Sequence, residues 1–145
     1  MNNINRIVIP VDRTEASRIA VEQGSQMAKL LGVDVSIISV DDSRQFIASA
    51  SLENRLRTEH ENILDGYKRI VEQKEIKTQA EIIVGDAPAE EIIQYVQDDD
   101  LIVMASHSKS GMERFLLGSV SEKVLQRVSC HVMVLKPHIT EDRHI

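Results

Sequence analysis

Hydrophobic positions along the chain follow two periods. Short runs rich in valine and isoleucine occur at Ile7–Val11, Val33–Val40, Ile82–Val84, Leu101–Met104 and Val132–Leu135. Runs of this length and β-branched content predict strands, and their near-continuous apolarity predicts burial on both faces, as in a parallel sheet. Between them apolar residues return at three-to-four spacing. Ala16, Ile19, Ala20, Met27, Leu30 and Leu31 form one stripe, with Thr14 placed to cap its start and Gly32 its end. Leu52, Leu56, Ile63, Leu64, Tyr67, Ile70 and Val71 form a longer one. Asp86 followed by Pro88 opens a third helix bearing Ile92, Ile93 and Val96, and Ser119 opens a fourth bearing Val120, Val124, Leu125 and Val128.

Strand and helix alternate throughout, which is the order that crossover units need to build a doubly wound sheet. The expectation is one α/β domain over residues 1–145, a three-layer sandwich without internal repeats or a linker. Residues 41–51 and the tail from Pro137 are the least regular and are expected at a mobile surface.

Composition narrows the function. With 42% hydrophobic and 28% charged residues among 145, the chain has a folding composition rather than a disordered one. A net charge of −6, no basic cluster, two Tyr, two Phe and no Trp argue against nucleic acid as a partner. Cys130 is the single cysteine, which excludes an internal disulfide and suits a reducing compartment. Residues 1–11 do not read as a secretory signal, and no run approaches the about 18 apolar residues of a membrane span. A cytoplasmic protein without membrane insertion is expected.

In open α/β sheets ligands bind beyond the carboxyl ends of the strands, where the strand order reverses. The loops to consider are Asp12-Arg13-Thr14, Asp41-Asp42-Ser43, and the segment from Ala105 to Gly111 that runs on to Gly118-Ser119. Ser119-Val120-Ser121-Glu122 reads as a capping box with Ser119 as N-cap, and the same helix start offers first-turn amides to an anion. Lys109 and Arg114 lie in that segment, either as phosphate partners or as solvated loop charges. His107 lies there too, with no nucleophile or base paired to it in the sequence. His60, His131, His138 and His144 lack metal-ligand spacing and are expected at the surface. Asp98-Asp99-Asp100 reads as a solvated turn, and Cys130 as a small buried residue.

Three blocks resemble the universal stress protein family. They are Pro10-Val11-Asp12, Gly85-Asp86-Ala87-Pro88-Ala89-Glu90-Glu91-Ile92, and Val103-Met104-Ala105-Ser106-His107 running to Leu116-Leu117-Gly118-Ser119-Val120-Ser121-Glu122-Lys123-Val124. The resemblance covers essentially the whole chain. It implies a five-stranded parallel sheet of order 3-2-1-4-5, the adenine nucleotide alpha hydrolase-like fold, and a homodimer formed through the last strand, residues 132–135. In one subclass it implies ATP bound across the first and fourth strands with Mg²⁺ carried by the nucleotide; Asp12 then contacts the nucleotide directly or through that Mg²⁺, or else helps to cap the first helix.

That subclass resembles Gly-x2-Gly-x9-Gly-Ser/Thr, whose places fall here on Ala105, Ser108, Gly118 and Ser119. Two early glycines are therefore replaced while the helix-start pair is kept. A non-glycine residue forced into the left-handed region costs about 1–2 kcal/mol, which weakens a site by about tenfold without abolishing it. The nucleotide contacts implied are Pro10, Val11, Asp12, Val40, Met104, Ala105, Ser106, His107, Ser108, Lys109, Gly118, Ser119 and Val120. Arg13 stands where relatives often carry glycine, and either reaches phosphate or crowds the pocket. The function implied is an ATP-binding stress-response or regulatory protein that acts on an unknown protein partner through nucleotide-dependent conformation. Two alternatives stand beside it: a dimeric interaction module that binds no nucleotide, and a weak ATPase with slow hydrolysis at most.

Overall fold

The computed structural model describes residues 3–46, 49–106 and 118–136. The chain runs β1 (Arg6–Pro10), α1 (Glu15–Leu31), β2 (Asp34–Asp41), a 3₁₀ turn (Ser43–Phe46), α2 (Ala50–Glu72), β3 (Thr78–Val84), α3 (Pro88–Tyr95), β4 (Asp100–Ala105), α4 (Ser119–Arg127) and β5 (His131–Leu135). The five strands form one sheet in the order β3-β2-β1-β4-β5, and every neighbouring pair is parallel. Fold and strand order are those expected.

Successive strand residues point to opposite faces, so each strand feeds two cores. Ile7, Ile9, Val35, Ile37 and Val103 meet Ala20, Val21 and Ala28 of α1 and Leu64 and Val71 of α2. Val8, Ile38, Ile102 and Met104 meet Ala89 and Ile92 of α3 and Val124 of α4 on the other side. Ile7, Ile9, Ile37, Ile38 and Ile102 are fully buried. Each such side chain contributes roughly 1.5–3 kcal/mol relative to exposure, so the three central strands carry much of the stability. β4 is buried along its whole length, as its apolar run predicts.

The sheet edges depart from expectation. β3 begins at Thr78 rather than Ile82, because its first half alternates Thr78, Gln79, Ala80 and Glu81. An edge strand covered on one face only needs alternation, not a continuous apolar run. β5 is likewise only partly buried, with Val134 exposed.

Gly32 ends α1 in the left-handed conformation (φ 68°), and its N–H donates to the Ala28 carbonyl, as the sequence predicts. Gly24 has a different task. A Cβ there would stand 2.7 Å from Ile9 Cδ1, so its absence lets the α1 backbone lie close against β1. At the start of α3 the cap position belongs to Ala87, with Pro88 following it, and not to Asp86. Cys130 is half-buried rather than buried; burial pushes its thiol up, as do the charges of Asp100 and Asp98.

Candidate functional site

Strand order reverses between β1 and β4, and a cavity of about 410 Å³ opens there at the carboxyl ends of the strands. This volume lies within the usual range for small-molecule sites, about 300–1,000 Å³. Pro10, Val11, Asp12 and Thr14 form one wall with Ala16, Ser17 and Ala20 of α1. Ile38, Val40 and Asp42 form the β2 side, Pro88 and Ile92 of α3 a second apolar side, and Met104 and Ala105 the floor. Gly118, Ser119, Val120 and Ser121 close it with the first turn of α4. The cavity is therefore an apolar slot at one end and a helix N-terminus at the other.

Asp12 does the capping expected of Thr14. Thr14 occupies the N-cap position of α1, but its side chain makes no capping hydrogen bond. Instead Asp12 Oδ1 accepts from the Thr14 N–H at 2.8 Å, from the Thr14 hydroxyl, and from the Ser17 hydroxyl at 2.8 Å. The Asp12 N–H donates to Ser17 Oγ at 2.7 Å. A carboxylate this tightly tethered is fixed in direction at the cavity rim, beside the positive end of α1.

At α4 the capping-box reading gives way. The N-cap is Gly118, in an extended conformation (φ −66°, ψ 160°), and Ser119 is the first helical residue. The Glu122 N–H donates to the Gly118 carbonyl at 2.9 Å, and among the described residues no side chain caps the helix. The Ser119 hydroxyl is thus not committed to a cap. It stands with Val120 and Ser121 on the cavity wall, where uncapped first-turn amides attract an anion.

Of the contacts expected from sequence, the structure brings together Pro10, Val11, Asp12, Val40, Met104, Ala105, Gly118, Ser119 and Val120 around this one cavity. Ser106 is not among them. It is buried, and both its N–H (2.9 Å) and its hydroxyl (3.3 Å) donate to the Leu135 carbonyl, so it locks β4 to the end of β5. His107, Ser108, Lys109 and Arg114 lie outside the described residues. Among the described residues, no group of three or more His, Cys, Asp and Glu side chains is arranged to hold a metal ion. None of the described helices is long and apolar enough to cross a membrane.

A polar cluster that sequence reasoning missed stands behind the β2 wall. Ser39 and Asp41 are buried on the face opposite Val40, and His60 of α2 reaches them. Ser39 Oγ and His60 Nδ1 are 2.9 Å apart, and His60 Nε2 lies 3.9 Å from Asp41 Oδ1. Asp41 Oδ1 also accepts from the Ser43 N–H at 3.0 Å and from the Ser43 hydroxyl, which pins the turn leaving β2. Burial pushes the Asp41 carboxyl up, but the Ser43 hydroxyl and N–H, then the charges of His60 and Arg57, outweigh it and hold the group below its ordinary value. Serine, histidine and aspartate are the residue types of hydrolytic triads. Here Ser39 is only 3% exposed and lies outside the cavity, so a substrate cannot reach it. The signal was present in the sequence: His60 lies on the same helical stripe as Leu56, Ile63, Leu64 and Tyr67.

Residues 3–136 match the model of the universal stress protein family. The chain belongs to the universal stress protein family. Universal stress protein MJ0531 of Methanocaldococcus jannaschii is 35% identical over 143 residues, covering 93% of this chain and 84% of that protein. The solved structure of protein MJ0577 from the same organism superposes with a TM-score of 0.76 at 31% identity, covering 93% of this chain and 97% of that one. A family member from Arabidopsis thaliana, solved with AMP bound, superposes at 0.66 with 18% identity over 94% of each chain, a likeness of fold alone. In this universal stress protein Gly118 and Ser119 start α4 at the cavity, and Ala105 lies in the cavity floor.

Proposed function

We propose that this universal stress protein binds an adenine nucleotide, with ATP as the ligand, in the cavity between β1 and β4. The observation that carries the reading is the division of that cavity into an apolar slot and an uncapped helix N-terminus. Ile38, Val40, Ile92 and Met104 suit the flat face of a purine, and the Gly118–Ser121 turn suits its phosphates. Nucleotide binding by a member of the same fold supports it. Mg²⁺ accompanies the nucleotide in this reading, held by phosphate oxygens and the tethered Asp12 carboxylate, and would offset phosphate charge at the rim. Bound nucleotide orders the rim loops and changes the surface shown to a partner, which makes the protein a cytoplasmic regulator in the stress response. The partly exposed edge strand β5 supports pairing of two copies through residues 132–135.

Calorimetric titration with Mg·ATP tests the reading. Binding at micromolar to submillimolar concentration is expected. An absence of binding up to millimolar nucleotide overturns it in favour of a dimeric module without nucleotide.

A further inference from the structure

Helix N-termini favour an anion at the cavity, but the described side chains add no cation to them. Among the described residues the charged side chains on its wall are Asp12 and Asp42, both acidic. The cation nearest in sequence, Arg13, sits between two wall residues, Asp12 and Thr14, yet does not line the cavity. Its Nη2 is ion-paired with Glu59 Oε2 of α2. Both partners are well exposed, 61% for the Arg13 side chain and 44% for Glu59.

We infer that Arg13 is a phosphate-responsive arm, which leaves Glu59 and pairs with the terminal phosphates of the bound nucleotide. The inference rests on the nucleotide reading above and adds to it a charge partner and a route to the surface. The exchange is inexpensive in the free protein, because an exposed ion pair is screened by water and contributes little. It is favourable in the complex, because guanidinium pairs with phosphate through two parallel N–H···O bonds and the phosphate carries more charge than the carboxylate it replaces. The tether at Asp12 fixes the backbone from which Arg13 swings, so the side chain alone moves. When Arg13 leaves, Glu59 loses its partner and α2 loses a tie to the β1–α1 turn. Phosphate in the cavity is thereby reported on the outer face of α2, without a rearrangement of the sheet.

The test compares ATP, AMP and adenosine on the wild type, Arg13→Gln, Arg13→Lys and Glu59→Gln, by calorimetry at low salt. Arg13→Gln is expected to weaken ATP by about tenfold and adenosine not at all, and Arg13→Lys to recover part of the loss. Glu59→Gln, which frees the guanidinium beforehand, is expected to tighten ATP by about two- to fivefold. Amide exchange in α2 around Glu59 should rise on ATP binding in the wild type and stay unchanged in Arg13→Gln. If the wild type binds ATP and Arg13→Gln leaves the ATP-to-adenosine affinity ratio unchanged, the arm is overturned while the nucleotide site stands. If the wild type binds neither ATP nor adenosine, both fall together.

Discussion

The two ends of the sheet treat polar groups in opposite ways. At the amino end the charges are sealed. Arg6 Nε and Nη2 donate to the two carboxylate oxygens of Asp100 at 3.0 and 2.7 Å, and Asp100, 1% exposed, also accepts from the Gln97 N–H at 2.8 Å. Arg6 lies 5.0 Å from the Tyr95 ring centre, and the Tyr95 hydroxyl meets Ser36 at 2.5 Å and Glu81 at 3.0 Å. The network crosses from β3 to β4 with its groups satisfied by one another. At the carboxyl end Asp12 and Asp41 tie down loops, and between those loops a cavity stays open. The difference follows from strand polarity. In a parallel sheet with crossover helices, the helices begin beyond the carboxyl ends, so α1, α3 and α4 all bring their positive ends to one rim. That rim favours an anion, while the amino end has only itself to satisfy.

The strongest way to break the contrast is Asp100→Ala. It strands the Arg6 guanidinium in a half-buried site and leaves the Gln97 N–H without its acceptor. A loss of about 3–5 kcal/mol is expected in urea unfolding, with nucleotide affinity of the remaining folded protein unaltered. An equal loss of affinity would show that the two ends are mechanically coupled.

Ala16→Leu should do the opposite. Ala16 lies on the first turn of α1, on the cavity wall and at the edge of the core beneath it, so a larger side chain intrudes on ligand space. Nucleotide affinity is expected to fall by more than about tenfold while unfolding free energy moves by less than about 1 kcal/mol. A matching fall in stability would show that the added side chain disturbs the core contacts of Ala16 rather than ligand space alone.

The smallest effect belongs to acid. Because Asp41 is held below its ordinary value when folded, its contribution is present above the unfolded value of about 4 and is lost as pH falls through the lower folded value. Asp41→Asn should flatten the stability-against-pH curve below about pH 4 and leave the neutral range with only the loss of its hydrogen bonds. An unchanged acid limb in Asp41→Asn would remove the carboxylate from this role.

Much of this was legible before folding was considered. The Val/Ile runs and the three-to-four stripes determined an alternating α/β chain, because both periods are local consequences of backbone geometry. The Gly118-Ser119 pair and the Pro10-Val11-Asp12 block marked two sides of the cavity through the family resemblance. What misled were residues whose partners are distant in sequence. Asp100 reads as part of a solvated acidic turn, yet its partner Arg6 lies 94 residues away. His60 reads as a surface residue until β2 supplies Ser39 and Asp41. Ser106 shows nothing in its own strand of the Leu135 carbonyl that accepts from it, 29 residues on.

By itself, then, the sequence determined the elements and their order along the chain, since these depend on spacing within a few turns or strands, and its three blocks carried the family resemblance. Tertiary structure alone decided that the amino end of the sheet would close Arg6 on Asp100. It decided too that Arg13 would turn to Glu59 and that His60 would reach Asp41, because burial and ion pairing arise only when distant segments displace water from the same place.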